Sequence, residues 1–349
     1  AGLVVSVGMV TGMLQMVGSF RGTIEKWFDV RFQAELYVAE RGAGGASYIN
    51  AIDPDLLESL CSHPEISFAD TLYLTRAETP SSKTVLMGID YEAWSNKIQH
   101  IWHTPPGVLE AVSGAEPAYV SETFARRFNV LNGGVVQLNT PSGLQDVSPV
   151  GIYSDYGNEF GAAAIDKNIW IEWTQSCKPT NTSLYLKEPS RTNEFRDKLR
   201  LQYPGLDIRN AKELRNVALS IFEDTFRITS ALNAIGISIA MAGLILGMLA
   251  IFAESLSTWR TLTYLGYPFK NLLWVAGLES AAIAFTAWVA GTVVGLALGW
   301  LLINVINVQS FGWTLIWELP LEAMLLLGFL LVISSLLSGL IVGIFWHKR

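Results

Sequence analysis

Few side chains in this sequence are spaced for chemistry. His100 and His103 form an H-x-x-H pair around Trp102, which could present two metal ligands on one helix face. A zinc site needs three or four ligands. No third lies nearby, so the pair reads as structural or surface, and no metal ligands are expected. Cys61 and Cys177 are the only cysteines. Outside the cytoplasm they could oxidise, but nothing in the sequence brings them within bonding distance, and two unpaired, partly buried thiols are the simpler expectation. Asn181-Thr182-Ser183 fits the N-glycosylation sequon, which occurs often by chance, and reads as a loop. There is no G-x-x-x-x-G-K-[ST] phosphate loop and no G-x-S-x-G, H-E-x-x-H or C-x-x-C. No catalytic residue and no cofactor-binding residue is therefore expected.

Two carboxylates, Glu279 and Glu322, lie inside long apolar runs. An ionisable group within a bilayer costs several kcal/mol and often serves a proton or ion pathway. Both sit near the ends of their runs, where a carboxylate reaches water, and neither has a basic partner in an adjacent run. The apolar runs carrying them are the larger signal.

Half of the 349 residues are hydrophobic and only 16% are charged, too apolar for a typical soluble protein of this size. Charge is nearly absent from 1–18 and 228–346, whereas 19–227 has the mixed charge of a soluble domain. The net charge of −7, without a basic tract, argues against a nucleic-acid partner. The sequence starts without Met in an already apolar stretch, which is read as a fragment. Four spans are expected, at 1–18, 228–253, 271–304 and 320–346, the first most of, and the others more than, the ~20 residues needed to cross ~30 Å of hydrocarbon. A signal peptide at the start is disfavoured: no basic residue precedes the run and no small-residue cleavage pattern follows.

The longest continuous element is the stretch from Leu214 to Gly266, which contains no proline. Leu214, Val217, Ala218, Ile221, Phe222 and Thr225 fall on one helical stripe, and the uncharged run Ile228–Ala253 follows. A matching extension after the first span places Phe20, Ile24, Trp27 and Phe28 on one side, with an Arg21–Glu25 pair four apart. Two amphipathic stalk helices, 19–33 and 211–226, thus flank 34–210, and packing their stripes together is the natural way to hide them.

Segment 34–210 reads as an α+β domain inserted between the first two spans. Strand-like runs occur at 35–38, 71–74, 85–89, 118–120, 135–138 and 183–186, with short helices at 56–60, 121–128 and 192–203. Asn132-Gly133-Gly134 and Pro141-Ser142-Gly143 supply the turns of small antiparallel sheets. Beyond it, a loop at 254–270 carries Arg260 and Lys270 and the terminus carries Lys348 and Arg349, whereas 305–318 has no Lys or Arg. The positive-inside rule puts the first two in the cytoplasm and the third, with the inserted domain, outside. Phe311, Trp313 and Trp317 in that outer loop are of the type enriched at bilayer interfaces. Gly236, Gly243 and Gly247, and Gly291, Gly295 and Gly299, are spaced four or seven apart, the pattern of close helix packing against another copy or a missing half.

This layout of one span, a large insertion and three further spans resembles the FtsX-like/MacB-like ABC transporter permeases (the type VII ABC superfamily). The resemblance covers essentially the whole chain. It is carried by Ser19-Phe20-Arg21 with Trp27, by Ile221-Phe222-Glu223-Asp224-Thr225-Phe226, and by Val120-Ser121-Glu122, Phe128-Asn129-Val130-Leu131-Asn132-Gly133 and Val150-Gly151-Ile152-Tyr153 in the domain. The segment Thr258–Gly266 looks like the family's cytoplasmic coupling segment, usually Arg-x-x-x-Leu-x-x-Leu-Gly. Leu262, Leu265 and Gly266 fit, while Arg260 stands only two before Leu262. The resemblance implies an FtsX-like permease domain over 227–349 and a non-catalytic inner-membrane subunit, similar to the C-terminal half of a long duplicated permease.

It further implies a cytoplasmic ABC ATPase docked at Trp259, Arg260, Leu262, Leu265 and Gly266, with ATP and Mg bound in that partner and none by this chain. The stalk residues Phe20, Ile24, Trp27, Leu214, Ile221, Phe222 and Phe226 would carry motion outward by mechanotransmission. Gly243, Gly247, Gly291, Gly295 and Gly299 would pack against neighbouring helices, including a second permease half or copy. A periplasmic accessory protein is a further expected partner, and the export or extraction of a lipoprotein, lipid or peptide is the expected work. The alternative is a signalling or regulatory protein of the same architecture controlling a periplasmic partner such as a cell-wall hydrolase. A membrane-anchored enzyme with its active site in 34–210 is weakest, since no catalytic motif is present.

Overall fold

The structure is a computed structural model and describes residues 2–42, 51–80, 82–91, 94, 102–104, 109–266 and 268–347. Some helical side chains, including those at 221–226, 255–260 and 342–347, lie outside the described residues. The chain divides into two compact units, one of 23–220 with 307–314 and one of 1–22, 221–306 and 315–349.

The first unit is built on the strands β1 (Leu36–Glu40), β2 (Ile66–Glu78), β3 (Lys83–Ile89), β4 (Trp102–Thr104), β5 (Glu116–Ser121), β6 (Val136–Thr140), β7 (Gly143–Tyr153), β8 (Ala162–Asp166), β9 (Asn181–Leu186) and β10 (Leu206–Asn210). Among the described residues they make one mixed sheet in the order β10-β1-β9-β2-β3-β8-β5-β7-β4, with β6 on β7 and the end of β2. The expected small antiparallel sheets are thus replaced by a single sheet in which β3–β8 and β5–β7 are parallel. The thirteen-residue β2 joins its two lobes: Ile66–Leu72 pairs with β9 and Tyr73–Glu78 with β3.

Strand alternation decides what each face meets. In the first lobe Leu36, Val38, Leu184, Leu186, Leu206 and Ile208 turn to one side and are buried beneath α2 (Pro54–Cys61) and α5 (Thr192–Gln202), which contribute Leu60, Phe195 and Leu199. Asp53 starts α2 by accepting the Asp55 N–H at 2.9 Å. In the second lobe α3 (Glu122–Arg127) and α4 (Lys167–Thr174) cover Leu86, Val120, Leu138 and Ile165 with Phe124 and Trp170. Each fully buried Leu, Ile or Phe of this kind stabilises the fold by about 1.5–3 kcal/mol. Asn181 and Thr182, expected in a loop, are the first residues of β9. His103 lies in the strand β4 rather than on a helix face, and His100 lies outside the described residues.

The second unit is helical. It comprises α1 (Gly2–Arg31) up to Gly22, α6 (Ala211–Tyr264) from Ile221, α7 (Phe269–Leu301) and α9 (Leu321–His347). Three helical stretches, Gly2–Arg31, Lys270–Phe311 and Leu321–Ile341, are long and apolar enough to cross a membrane among the described residues. The expected second span, 228–253, is helical within α6, but many of its side chains lie outside the described residues. Glu279 and Glu322 both point outward from their helices.

Helix continues past the expected end of the third span at 304. A π-helical turn, Leu302–Ile306, leads into α8 (Asn307–Phe311). The polar residues there satisfy themselves locally instead of opening a loop: Asn304 donates back to the Trp300 carbonyl at 3.2 Å, and Asn307, fully buried, donates to the Trp313 carbonyl at 2.9 Å. Gly312, with φ of 76°, then reverses the chain.

Candidate functional site

The segment expected to dock a partner is almost entirely helix. α6 runs to Tyr264 because nothing between 254 and 264 interrupts it, so the expected loop 254–270 shrinks to the few residues before α7 begins at Phe269. Leu265 donates its N–H to the Thr261 carbonyl at 3.0 Å. Gly266, with φ of 85°, takes the left-handed position that closes a helix C-terminus, and Pro268 caps the start of α7. Tyr264 and Leu265 stand 89% and 74% exposed at this turn, while Leu262 is half-buried. Trp259 and Arg260 are helical, with side chains outside the described residues.

The opposite end of α6 is anchored without a linker. β10 ends at Asn210, and Asn210 with Glu213 forms a capping box: the Asn210 side chain accepts the Glu213 N–H at 2.7 Å, and Glu213 accepts the Asn210 N–H at 3.3 Å. Glu213 also holds Arg196 at 2.7 Å and Arg200 at 2.9 Å, both from α5. The N-x-x-E spacing is legible in the sequence but absent from the expectations above.

Between the two stalk helices the described link is ionic. Arg215 of α6 meets Asp29 of α1 at 2.8 Å and Glu25 at 3.9 Å. Ile24 and Phe28 are buried and Leu214 is half-buried, but Val217 is exposed. Trp27 turns into the domain, where its indole donates to the Ser154 carbonyl at 3.2 Å and its ring meets Tyr156 edge-on. Phe20, in the other unit, is half-buried, and the side chains of Ile221, Phe222 and Phe226 lie outside the described residues.

In the helical unit, α1 and α7 run parallel along a glycine seam. A Cβ on Gly291 would overlap Val7, one on Gly295 would overlap Thr11, and one on Gly299 would overlap Gln15. Gly8 and Gly12 face them from α1, against the carbonyls of Gly291 and Gly295. α9 packs antiparallel on α7 through Gly277, Gly328 and Gly339, which meet Leu340, Trp288 and Ser280. Gly243 and Gly247 of α6 have nothing within 4 Å among the described residues.

The segment 307–314 folds with the inserted domain. Glu122 of α3, 3% exposed, accepts from both the backbone N–H of Thr314 (2.9 Å) and its hydroxyl (3.0 Å). Tyr156 donates its hydroxyl to the Thr314 carbonyl at 2.9 Å, and burial pushes that phenol up to about 12. Trp313, expected at a bilayer interface, is buried here, edge-on to Tyr156 and stacked on Phe311. No motif pointed to this clasp, because its two sides are far apart in the sequence.

Cys61 and Cys177 are both free thiols. Among the described residues no group of three or more His, Cys, Asp or Glu side chains is placed to hold a metal ion.

Residues 230–345 match the FtsX-like permease C-terminal family. Over 97% of its length the chain is 22% identical to the uncharacterized ABC transporter permease protein Rv0987 of Mycobacterium tuberculosis, of which it spans 41%. Solved structures similar to about half of the chain include two transporter domains. The periplasmic region of MacB from Actinobacillus actinomycetemcomitans shares 8% identity, with a TM-score of 0.36 over 53% of this chain and 92% of that one. The extracellular domain of the noncanonic ABC-type transporter YknZ from Gram-positive bacteria shares 12%, with a TM-score of 0.34 over 51% of this chain and 99% of that one. Residues 230–345 are thus similar to the FtsX-like permease C-terminal domain, and nearly the whole chain is similar to part of an ABC transporter permease.

Proposed function

We propose that the chain is the membrane subunit of an ABC transporter that works by mechanotransmission. A separate cytoplasmic ATPase, holding ATP and Mg, docks at the α6–α7 turn, and its cycle moves the inserted domain outside the inner membrane. The observation that carries this reading is the continuity of α6. One 54-residue helix, about 80 Å long at 1.5 Å per residue, starts in the capping box at Asn210 and ends beside the exposed Tyr264 and Leu265. A rod without a break transmits force better than a jointed one. The glycine seam supports tight packing among spans that are poor in polar residues, which favours work outside the membrane over passage through it. The exposed glycines Gly243 and Gly247 fit a second permease half or copy. A periplasmic accessory protein and a lipoprotein, lipid or peptide substrate complete the proposal.

The test is co-purification with candidate ATPases and measurement of their activity. Leu265→Asp should leave the fold intact, because the side chain is exposed, yet lower the affinity for the ATPase by about thirtyfold, the ~2 kcal/mol of an interface hot spot. An unchanged complex and unchanged ATP hydrolysis in both Leu262→Asp and Leu265→Asp would overturn the docking assignment.

A further inference from the structure

Tyr156, just beyond the end of β7, is shared by two segments of the first unit that are far apart in the sequence. One is the last part of α1, whose Trp27 ring meets the Tyr156 ring edge-on with centroids 5.9 Å apart. The other is 307–314. Trp313 lies edge-on to the same ring at 5.6 Å, and the Tyr156 hydroxyl donates to the Thr314 carbonyl at 2.9 Å. Ser154 repeats the link on the α1 side: its carbonyl accepts from the Trp27 indole at 3.2 Å, and its side chain bonds the Tyr156 phenol. Among the described residues the Trp27 ring meets Phe28, Phe32 and Tyr156, and neither Phe311 nor Trp313. Tyr156 is the ring that bridges Trp27 and Trp313.

Segment 307–314 is held by the domain rather than by the helix that leads into it. Before it the α-helical ladder is interrupted by the π-helical turn Leu302–Ile306, and the boundary between the two compact units falls at the end of that turn. Single π-turns inside helices cluster at functional positions. Beyond the turn, Thr314 is gripped by Glu122 and Tyr156, Gly312 lies against Thr123, and Asn307 closes back on the Trp313 carbonyl. Because Tyr156 also touches α1, part of this grip depends on where Trp27 stands.

We propose that Tyr156 is a conformational relay: displacing Trp27 with the end of α1 loosens the domain's hold on 307–314. Edge-on aromatic pairs contribute beyond the area they bury, and they do so through ring geometry. The rings on either side set the tilt of the phenol, and the tilt decides whether the hydroxyl meets the Thr314 carbonyl. Moving Trp27 therefore weakens a bond to Thr314 although no atom of 307–314 has been altered. Such coupling is reciprocal, so a disturbance of 307–314 is felt at Trp27 as well. The inference does not rest on the ATPase reading and holds whatever moves α1.

Amide hydrogen exchange reads this grip locally, because each region of a protein opens with its own free energy. In the full chain in nanodiscs, the 307–314 peptide should exchange about fivefold faster in Trp27→Leu than in the parent. The central strand β8 should stay within about twofold. Tyr156→Phe keeps both ring contacts and removes the hydroxyl, so it should speed 307–314 by a similar factor of about five. Trp27→Leu added to Tyr156→Phe should then bring less than about twofold more. Where Trp27→Leu does not fold, the milder Trp27→Phe carries the same test, with a rise of about twofold that vanishes in Tyr156→Phe. Unchanged exchange at 307–314, an equal rise in β8, or a Trp27 effect fully retained in Tyr156→Phe would each overturn the relay.

Discussion

Glu122 and Thr314 are 192 residues apart, yet one carboxylate oxygen of Glu122 accepts both the N–H and the hydroxyl of Thr314. The other oxygen holds the Arg126 guanidinium at 2.6 and 2.9 Å. A buried carboxylate with four donors leaves several groups unsatisfied when it is removed. Hydrogen bonds to charged groups contribute about 1.5–3 kcal/mol, so Glu122→Ala should lower the melting temperature of the inserted domain clearly. Thr314→Val removes only the hydroxyl and should cost about 1 kcal/mol, or about 2–4 °C for a domain of this size. A double-mutant cycle between Glu122→Gln and Thr314→Val measures the coupling directly. A coupling of zero would show that the contact is incidental.

The glycine seam predicts a sharp asymmetry between positions. Gly295→Val would push into Thr11 and the Gly8 carbonyl, and overpacking of this kind costs about 1–3 kcal/mol. Gly243→Val and Gly247→Val meet open space and should melt like the parent chain in detergent. If the exposed pair serves a second half, those two variants should instead weaken association, read by size-exclusion chromatography or cross-linking of the assembled complex.

Asp155 opposes folding at neutral pH. Its folded pKa is raised by desolvation, so the folded state holds this proton more tightly than the unfolded state. Between the ordinary carboxylate value and the raised one, the folded chain binds the extra proton, and this group's contribution falls as pH rises. Asp155→Asn keeps an acceptor for the Gly157 N–H and removes the charge. It should raise the melting temperature near pH 7, with the gain fading as pH falls through the raised value toward the usual carboxylate range, below which it vanishes. A gain that grows on acidification would have the wrong sign.

The two thiols should react in separate phases. Cys177 is exposed, whereas Cys61 is half-buried and burial pushes its thiol up. Thiolate is the reactive form, so a disulfide reagent should modify Cys177 first in the folded chain, and Cys61 slowly or only on unfolding. Mass mapping of the first-modified peptide checks the order.

What the sequence made legible follows from how local each signal is. Ser121 opening α3 and Gly266 with Pro268 punctuating the α6–α7 turn are short-range chemistry, and both can be read from neighbouring residues. β8 escaped because Ala162-Ala163-Ala164 has the composition of a helix. It is a fully buried central strand, where small side chains leave room for the residues packed over both faces. β7 was hidden by Pro149, which normally argues against a strand; here it lies at the register shift against β5, where a proline is tolerated. The Glu122 clasp depends on which strands become neighbours. Pairing of β1 with both β9 and β10 is set by packing across long sequence separations, and no local pattern encodes it.

The clasp also orders events in time. The inserted domain is encoded mostly by 23–220, but Trp313 and Thr314 are part of the same compact unit. Synthesis runs from the N-terminus, so a nascent domain reaches near-completion while its last piece is still unmade. Until α7 has emerged, Glu122 faces no Thr314 and the Tyr156 ring has no Trp313. The domain and the helices that follow it are therefore one folding problem, and the last eight residues of the domain arrive only after α6 and α7 have been synthesised.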